Sequence, residues 1–254
     1  MNLLPRRVLP VLMYHRFGTA ESGDPELWVT MEQFAAQLRW LKGHGFRTLS
    51  LDEAYASLTA GRIPDRAVLL TIDDGFAGDL ERAADLLDQE GARAAVFVPA
   101  GLLGQTVNLS HPAAGDPKTS LGTITDSQGL RRWLDRGFDV GCHAMTHLDL
   151  TTCDAETLHL EISQSREHLA ASLGQPIRDF CYPFAHHNDI ARRAVEAAGY
   201  RAAYAGEPPS ADIFAVPRMM VYPGDSEARF RRKVSGYYFW MSDLHQKLRR
   251  FVGN

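Results

Sequence analysis

Unbroken apolar stretches alternate along the chain with segments in which apolar residues recur every three or four positions. Val8–Tyr14, Ala67–Ile72 and Ala94–Val98 are of the first kind, and their continuity fits strands buried on both faces. Amphipathic helices with legible starts lie between them. Thr30 and Gln33 form a capping box with Val29 placed as a hydrophobic staple, ahead of the stripe Phe34, Leu38 and Leu41. Ser50 and Glu53 form a second box, opening a helix that stops at Gly61. Further helices are predicted from about Gly78 to Gln89, from an Asp126 cap to Arg136, over Asp154–Ser172, and from an Asn188 cap to Gly199. Phe46–Leu49, Phe138–Cys142, Phe180–Tyr182 and Tyr200–Tyr204 read as strands. The Gly-, Pro-, Ser- and Thr-rich stretch Gly101–Thr125 reads as a long loop.

This alternation implies right-handed βαβ units and a parallel sheet, open or closed into a barrel. In either form, function gathers at the carboxyl ends of the strands. The reactive residues stand there: His15 follows the first strand, Asp73 and Asp74 follow Ala67–Ile72, His143 and His147 follow Phe138–Cys142, and Pro183 to His187 follow Phe180–Tyr182.

The length of 254 residues, with 45% hydrophobic and 23% charged, is enough for one α/β domain with a large core. No uncharged apolar run approaches the ~20 residues of a membrane helix. Met1–His15 reads poorly as a secretory segment, because Pro10 interrupts its short apolar run. Three cysteines, Cys142, Cys153 and Cys181, cannot all pair within the chain, and the expectation is a reduced, cytoplasmic protein. The net charge of −4 argues against nucleic acid as a partner, but it is unevenly spread: 229–254 carries seven basic residues against Asp243 alone. A barrel over 1–224 and a basic amphipathic helical tail over 225–254 are therefore expected. Phe230, Val234, Tyr237, Tyr238, Met241, Leu244, Leu248 and Phe251 recur near helical spacing in that tail. It reads either as a helix packed on the barrel or as peripheral contact of 229–251 with the inner face of a membrane.

Two carboxylates on successive positions point in different directions, so one can bind a metal while the other stays free to act as a base. The plainer alternative for Asp73-Asp74-Gly75 is a solvated turn. His143 and His147 have the i, i+4 spacing that lets two imidazoles meet one ion on a helical turn, although spacing alone leaves open His15 with His186 or His187. Two imidazoles and one carboxylate leave room for water, as a catalytic rather than a structural metal does.

Four motifs in order carry a family resemblance: Met13-Tyr14-His15-Arg16-Phe17, Leu70-Thr71-Ile72-Asp73-Asp74-Gly75, Gly141-Cys142-His143-Ala144-Met145-Thr146-His147 and Phe180-Cys181-Tyr182-Pro183-Phe184. Over 8–222 the chain resembles the polysaccharide deacetylases, the metal-dependent carbohydrate esterases of family 4 with the NodB homology domain. The likeness is nearest to the Tyr-His-Arg branch that includes exopolysaccharide N-deacetylases. It implies a single-domain α/β fold, a distorted (β/α)7 barrel. Asp74, His143 and His147 would hold one divalent metal ion, most commonly zinc, and Asp73 would be the general base. Tyr182, Pro183 and Phe184 would shape the acetyl pocket, and a backbone N–H near Phe184 would help to stabilise the oxyanion.

The sequence departs from the family at several points. Ile72 replaces the usual Phe, Ala185 stands where glycine is common, and Cys181 occupies the place of an arginine that contacts the base in many members; Arg218 is the substitute at hand. For the general acid or a substrate contact, His15, His186 and Arg218 are candidates, while the late histidine His245 reads as part of a solvated face. The implied activity is removal of an acetyl or formyl group from an amino sugar in a saccharide or lipid-linked glycan precursor. Alternatives are hydrolysis of a non-sugar C–N bond, as in a cyclic amide or ureide, and a catalytically silent metal- or sugar-binding protein.

Overall fold

The computed structural model describes residues 8–19, 24–111, 118–206 and 210–238. Eight short strands, all parallel, form its central sheet: β1 Val11–Tyr14, β2 Ala67–Asp73, β3 Ala95–Val98, β4 Asp139–Cys142, β5 Asp179–Cys181, β6 Ala202–Ala205, β7 Val216–Pro217 and β8 Met219–Met220. Their order across the sheet is β7-β6-β5-β4-β3-β2-β1-β8, and Arg47–Thr48 pairs with the start of β2. The two end strands are successive pieces of one extended segment with Arg218 between them. That segment pairs with β6 before Arg218 and with β1 after it, so the sheet nearly closes into a barrel.

Helices α1 (Met31–Gly43), α2 (Leu51–Thr59), α3 (Ala77–Glu90) and α4 (Ser127–Asp135) follow in turn. After them α5 (Ala155–Leu158) runs through a π-helical segment, His159–Gln164, into α6 (Ser165–Leu173), and α7 (Asp189–Ala197) and α8 (Glu227–Val234) complete the set. The Thr30 hydroxyl accepts from Gln33 N, but the Gln33 side chain donates to the Tyr222 carbonyl instead of closing the predicted box, whereas Ser50 and Glu53 do form a reciprocal box. Strand parity sorts the core into two regions. Val11, Ala67, Leu69, Ala95, Phe97, Ala202 and Tyr204 fill the interior, whereas Leu12, Val68, Leu70, Ile72, Val96 and Ala203 pack outward against the helices.

Two expectations are corrected here. Gly101–Thr125 is not a plain loop, because Thr106–His111 and Lys118–Thr123 pair antiparallel as a hairpin. Val107 and Leu109 alternate with polar neighbours, a strand pattern that the Gly- and Pro-rich composition obscures. The tail is not one continuous amphipathic helix: α8 ends at Val234, and Gly236 follows with φ of +76°. Phe230 and Val234 are buried in the outer core, and Phe230 meets the Trp40 ring edge-on at 5.8 Å. The rest of the tail, 239–254, lies outside the described residues, and His245 with it. Among the described residues no helix is long and apolar enough to cross a membrane.

Candidate metal centre and active site

Parity builds the site. In β2 the inward positions Leu69 and Thr71 continue to Asp73, and in β4 the inward set continues past the strand to His143. Both side chains arrive at the carboxyl mouth of the barrel, 2% and 1% exposed respectively. Asp74 is swung away from its neighbour by a left-handed backbone (φ +68°), and Gly75 at φ +74° completes the reversal. A Cβ at Gly75 would lie 2.4 Å from Val98 Cγ1, so only glycine fits that turn.

His143 and His147 are not on a helical turn, which corrects the sequence expectation. They flank an irregular loop in which Ala144 and His147 are both left-handed. The loop is clamped from one side by Ala100 N and Gly101 N, which donate to the carbonyls of Ala144 and Met145 at 2.9 and 2.8 Å. From the other side Glu161, 1% exposed, accepts from Met145 N, Thr146 N and Thr146 Oγ1 at 3.0, 2.9 and 2.5 Å. The sequence reading missed Glu161. Its signal was an acidic residue among the apolar positions Leu158, Ile162 and Leu169 of a helix.

Asp74 Oδ1 lies 3.3 Å from His147 Nε2 and 3.7 Å from His143 Nε2. Two bonds of about 2.1 Å to a tetrahedral ion hold their donor atoms roughly 3.4 Å apart. Asp74 Oδ1 is also buried and has no hydrogen-bond partner among the described residues, which is costly unless a cation faces it. The Nδ1 of His143 lies 2.8 Å from the Cys181 carbonyl, which turns Nε2 toward the cluster. Burial pushes His143 down to about 4, against the pull of Asp73, so its imidazole is neutral at pH 7 and able to ligate. The three residues fit a divalent ion. A second grouping of Asp73, His143 and Cys181 fits less well, because Arg218 already occupies Asp73.

Arg218, fully buried, forks onto Asp73 with Nη1 to Oδ1 at 2.7 Å and Nη2 to Oδ2 at 2.8 Å, and donates from Nη1 to Thr71 Oγ1 at 3.1 Å. Burial by itself would raise the Asp73 carboxyl; the charge of Arg218, with His143 and His15, outweighs it and holds the group below its usual value. His15 Nε2 is 3.8 Å from Asp73 Oδ2, and its buried Nδ1 has no partner among the described residues. Phe184 packs its ring 4.6 Å from that of His147, and it and Ala185 are both left-handed, a conformation that glycine adopts more readily. Pro183 is buried at the start of this turn, whereas Tyr182 points into the core, its hydroxyl donating to the Phe214 carbonyl at 2.9 Å. His186 stands apart at the rim, with Nδ1 3.0 Å from Asp149 Oδ2.

Two carboxylates, three imidazoles and an arginine thus gather at the mouth of a parallel barrel, where the strand ends of α/β-barrel enzymes carry the chemistry. The profile of the polysaccharide deacetylase family matches residues 60–203, more than half of the sequence, and this chain belongs to that family of carbohydrate deacetylases. It is 27% identical over 227 residues to YxkH of Bacillus subtilis (strain 168), covering 87% of this chain and 74% of that one. It is 24% identical over 205 residues to the poly-beta-1,6-N-acetyl-D-glucosamine N-deacetylase of Staphylococcus aureus (strain MRSA252), covering 76% of this chain and 67% of that one. In fold it is similar to the Streptococcus pyogenes deacetylase PplD in complex with acetate, with a TM-score of 0.77 at 20% identity, covering 91% of this chain and 100% of that one.

Proposed function

We propose that this chain is a metal-dependent N-deacetylase acting on an N-acetylated amino sugar within a saccharide. Asp74, His143 and His147 hold the ion, and Asp73 serves as the base. The convergence of a partnerless buried Asp74 oxygen with two imidazole nitrogens, beside a separately anchored Asp73, carries this reading. The imidazole and carboxylate donor set suits zinc. A bound ion would supply Lewis-acid chemistry there, to the amide carbonyl and to the attacking water.

Asp73 takes the proton of that water. The Arg218 fork keeps its carboxylate ionised and in a fixed plane, and the Cys181 thiol makes longer contacts to the same two oxygens at 3.8 and 3.7 Å. His15, beside Asp73 with a partnerless Nδ1, is the group best situated to deliver a proton to the departing amine or to hold the sugar. The Phe184 ring against His147 walls the acetyl pocket, with Pro183 fixing its turn. His186, held by Asp149 at the rim, is assigned to substrate contact. The S. aureus relative's name supports a poly-N-acetylglucosamine type of substrate. Phe230 and Val234 of the 229–251 segment are buried in the core and so are not available for membrane contact.

The test is acetate release from N-acetylglucosamine oligomers by the zinc-loaded protein, with a lipid-linked N-acetylglucosamine and a panel of cyclic imides and ureides alongside. Chelation should abolish turnover and zinc restore it, and Asp73→Asn should lower kcat by about 10²–10⁴-fold. Turnover that survives chelation, or a preference for the imides, contradicts the proposal.

A further inference from the structure

The geometry points to Glu161 as the positioning residue that sets the affinity of the metal centre; this rests on the metal-binding reading above. Glu161 touches none of the three ligand side chains named for the ion. It binds the backbone between two of them. Both of its oxygens are acceptors, with Oε2 taking Met145 N and Thr146 N and Oε1 taking the Thr146 hydroxyl, so three donors of one short loop converge on a single buried carboxylate.

That loop needs holding. Ala144 and His147 both adopt left-handed backbone without being glycine, a conformation that persists only where the surroundings impose it. The clamp by Ala100 and Gly101 fixes the carbonyls of Ala144 and Met145 but leaves the amides that follow to Glu161. His143 is tied independently by the end of its strand and by the Cys181 carbonyl. His147 sits beyond the amides that Glu161 holds, so loss of the carboxylate releases His147 relative to His143 and Asp74. Glu161 is delivered by the π-helical segment His159–Gln164, a widened turn of the kind that recurs at functional sites.

The measurement is the zinc and cobalt dissociation constant of the full chain, by competition with a chromophoric chelator, for wild type, Glu161→Gln and Thr146→Val. Glu161→Gln preserves shape but replaces one acceptor oxygen by a donor, and zinc affinity should fall roughly 10–100-fold. Thr146→Val removes only the hydroxyl contact and should produce a smaller fall in the same direction. The visible spectrum of the cobalt form should change in Glu161→Gln, and turnover should recover at saturating metal. A merely structural role predicts lower thermal stability of the metal-free protein with an unchanged dissociation constant. If both variants bind zinc within twofold of wild type, the inference is overturned while the metal reading stands. A wild-type chain that binds neither ion overturns both. Should Glu161→Gln fail to fold, unchanged affinity in Thr146→Val suffices to reject the role.

Discussion

Arg218 enters the barrel mouth from the point where the closing segment leaves β6 and joins β1, and its own N–H and Nε both donate to the Ala205 carbonyl. One residue therefore seals the sheet and neutralises Asp73. The sequence supplied Arg218 as a substitute for the arginine absent at Cys181, but a bidentate fork depends on sheet register, which no local pattern encodes. Asp73, Asp74 and His143 were readable because they stand at the ends of apolar strands, and His147 through its spacing from His143. Glu161 was not, since its partners are backbone amides 15 and 16 residues earlier. Arg218→Met leaves a buried carboxylate without its countercharge, which costs about 3–5 kcal/mol of stability at neutral pH. Burial then dominates Asp73 and raises its pKa. Because the base must be ionised, the acid limb of kcat/KM for the zinc-loaded variant should move to higher pH, with kcat lower by at least about 10-fold. An acid limb unmoved in the pH–rate profile would contradict the pairing.

At the scale of elements, the helix starts were legible because capping is local chemistry, and Thr30, Ser50, Asp126 and Asn188 all accept backbone N–H groups as expected. The hairpin over Thr106–Thr123 was hidden by its composition, and the π segment by having no sequence signature at all. In the tail, periodicity gave the apolar positions of α8 but not the surface that they cover. Phe230→Ala should cost about 3–4 kcal/mol, as truncation of a buried phenylalanine does. That amounts to a fall in Tm of roughly 10 °C for a domain of this size. A loss below about 1 kcal/mol in urea unfolding would show that α8 is not part of the core.

Across the whole molecule, the parallel α/β order followed from strand–helix alternation, whereas the near-closure did not, because β7 and β8 are only two residues each. The barrel separates a reactive mouth from a polar base, where Asp139 and Asp179 begin their strands and Arg201 pairs with Asp179 at 2.8 Å. Burial, aided by Asp139 and Asp52 and opposed by Arg201, lifts Asp179 to about 6. The folded-state pKa thus lies above the ordinary 3.8, so the folded protein holds this proton more tightly. The resulting stability is fully present below the ordinary value and is lost as pH rises through about 6. Thermal melts from pH 4 to pH 7 should show that decline in wild type and a flatter profile in Asp179→Asn. Identical profiles would remove Asp179 from the account.

A crystal structure of the zinc-soaked protein with anomalous diffraction at the zinc edge would locate the ion itself. A single strong peak is expected, bound by an Asp74 oxygen, His143 Nε2 and His147 Nε2, with Asp73 still held by Arg218 and off the ion. A peak coordinated by Asp73 and Cys181, or no peak between the three ligands, would contradict that ligand set.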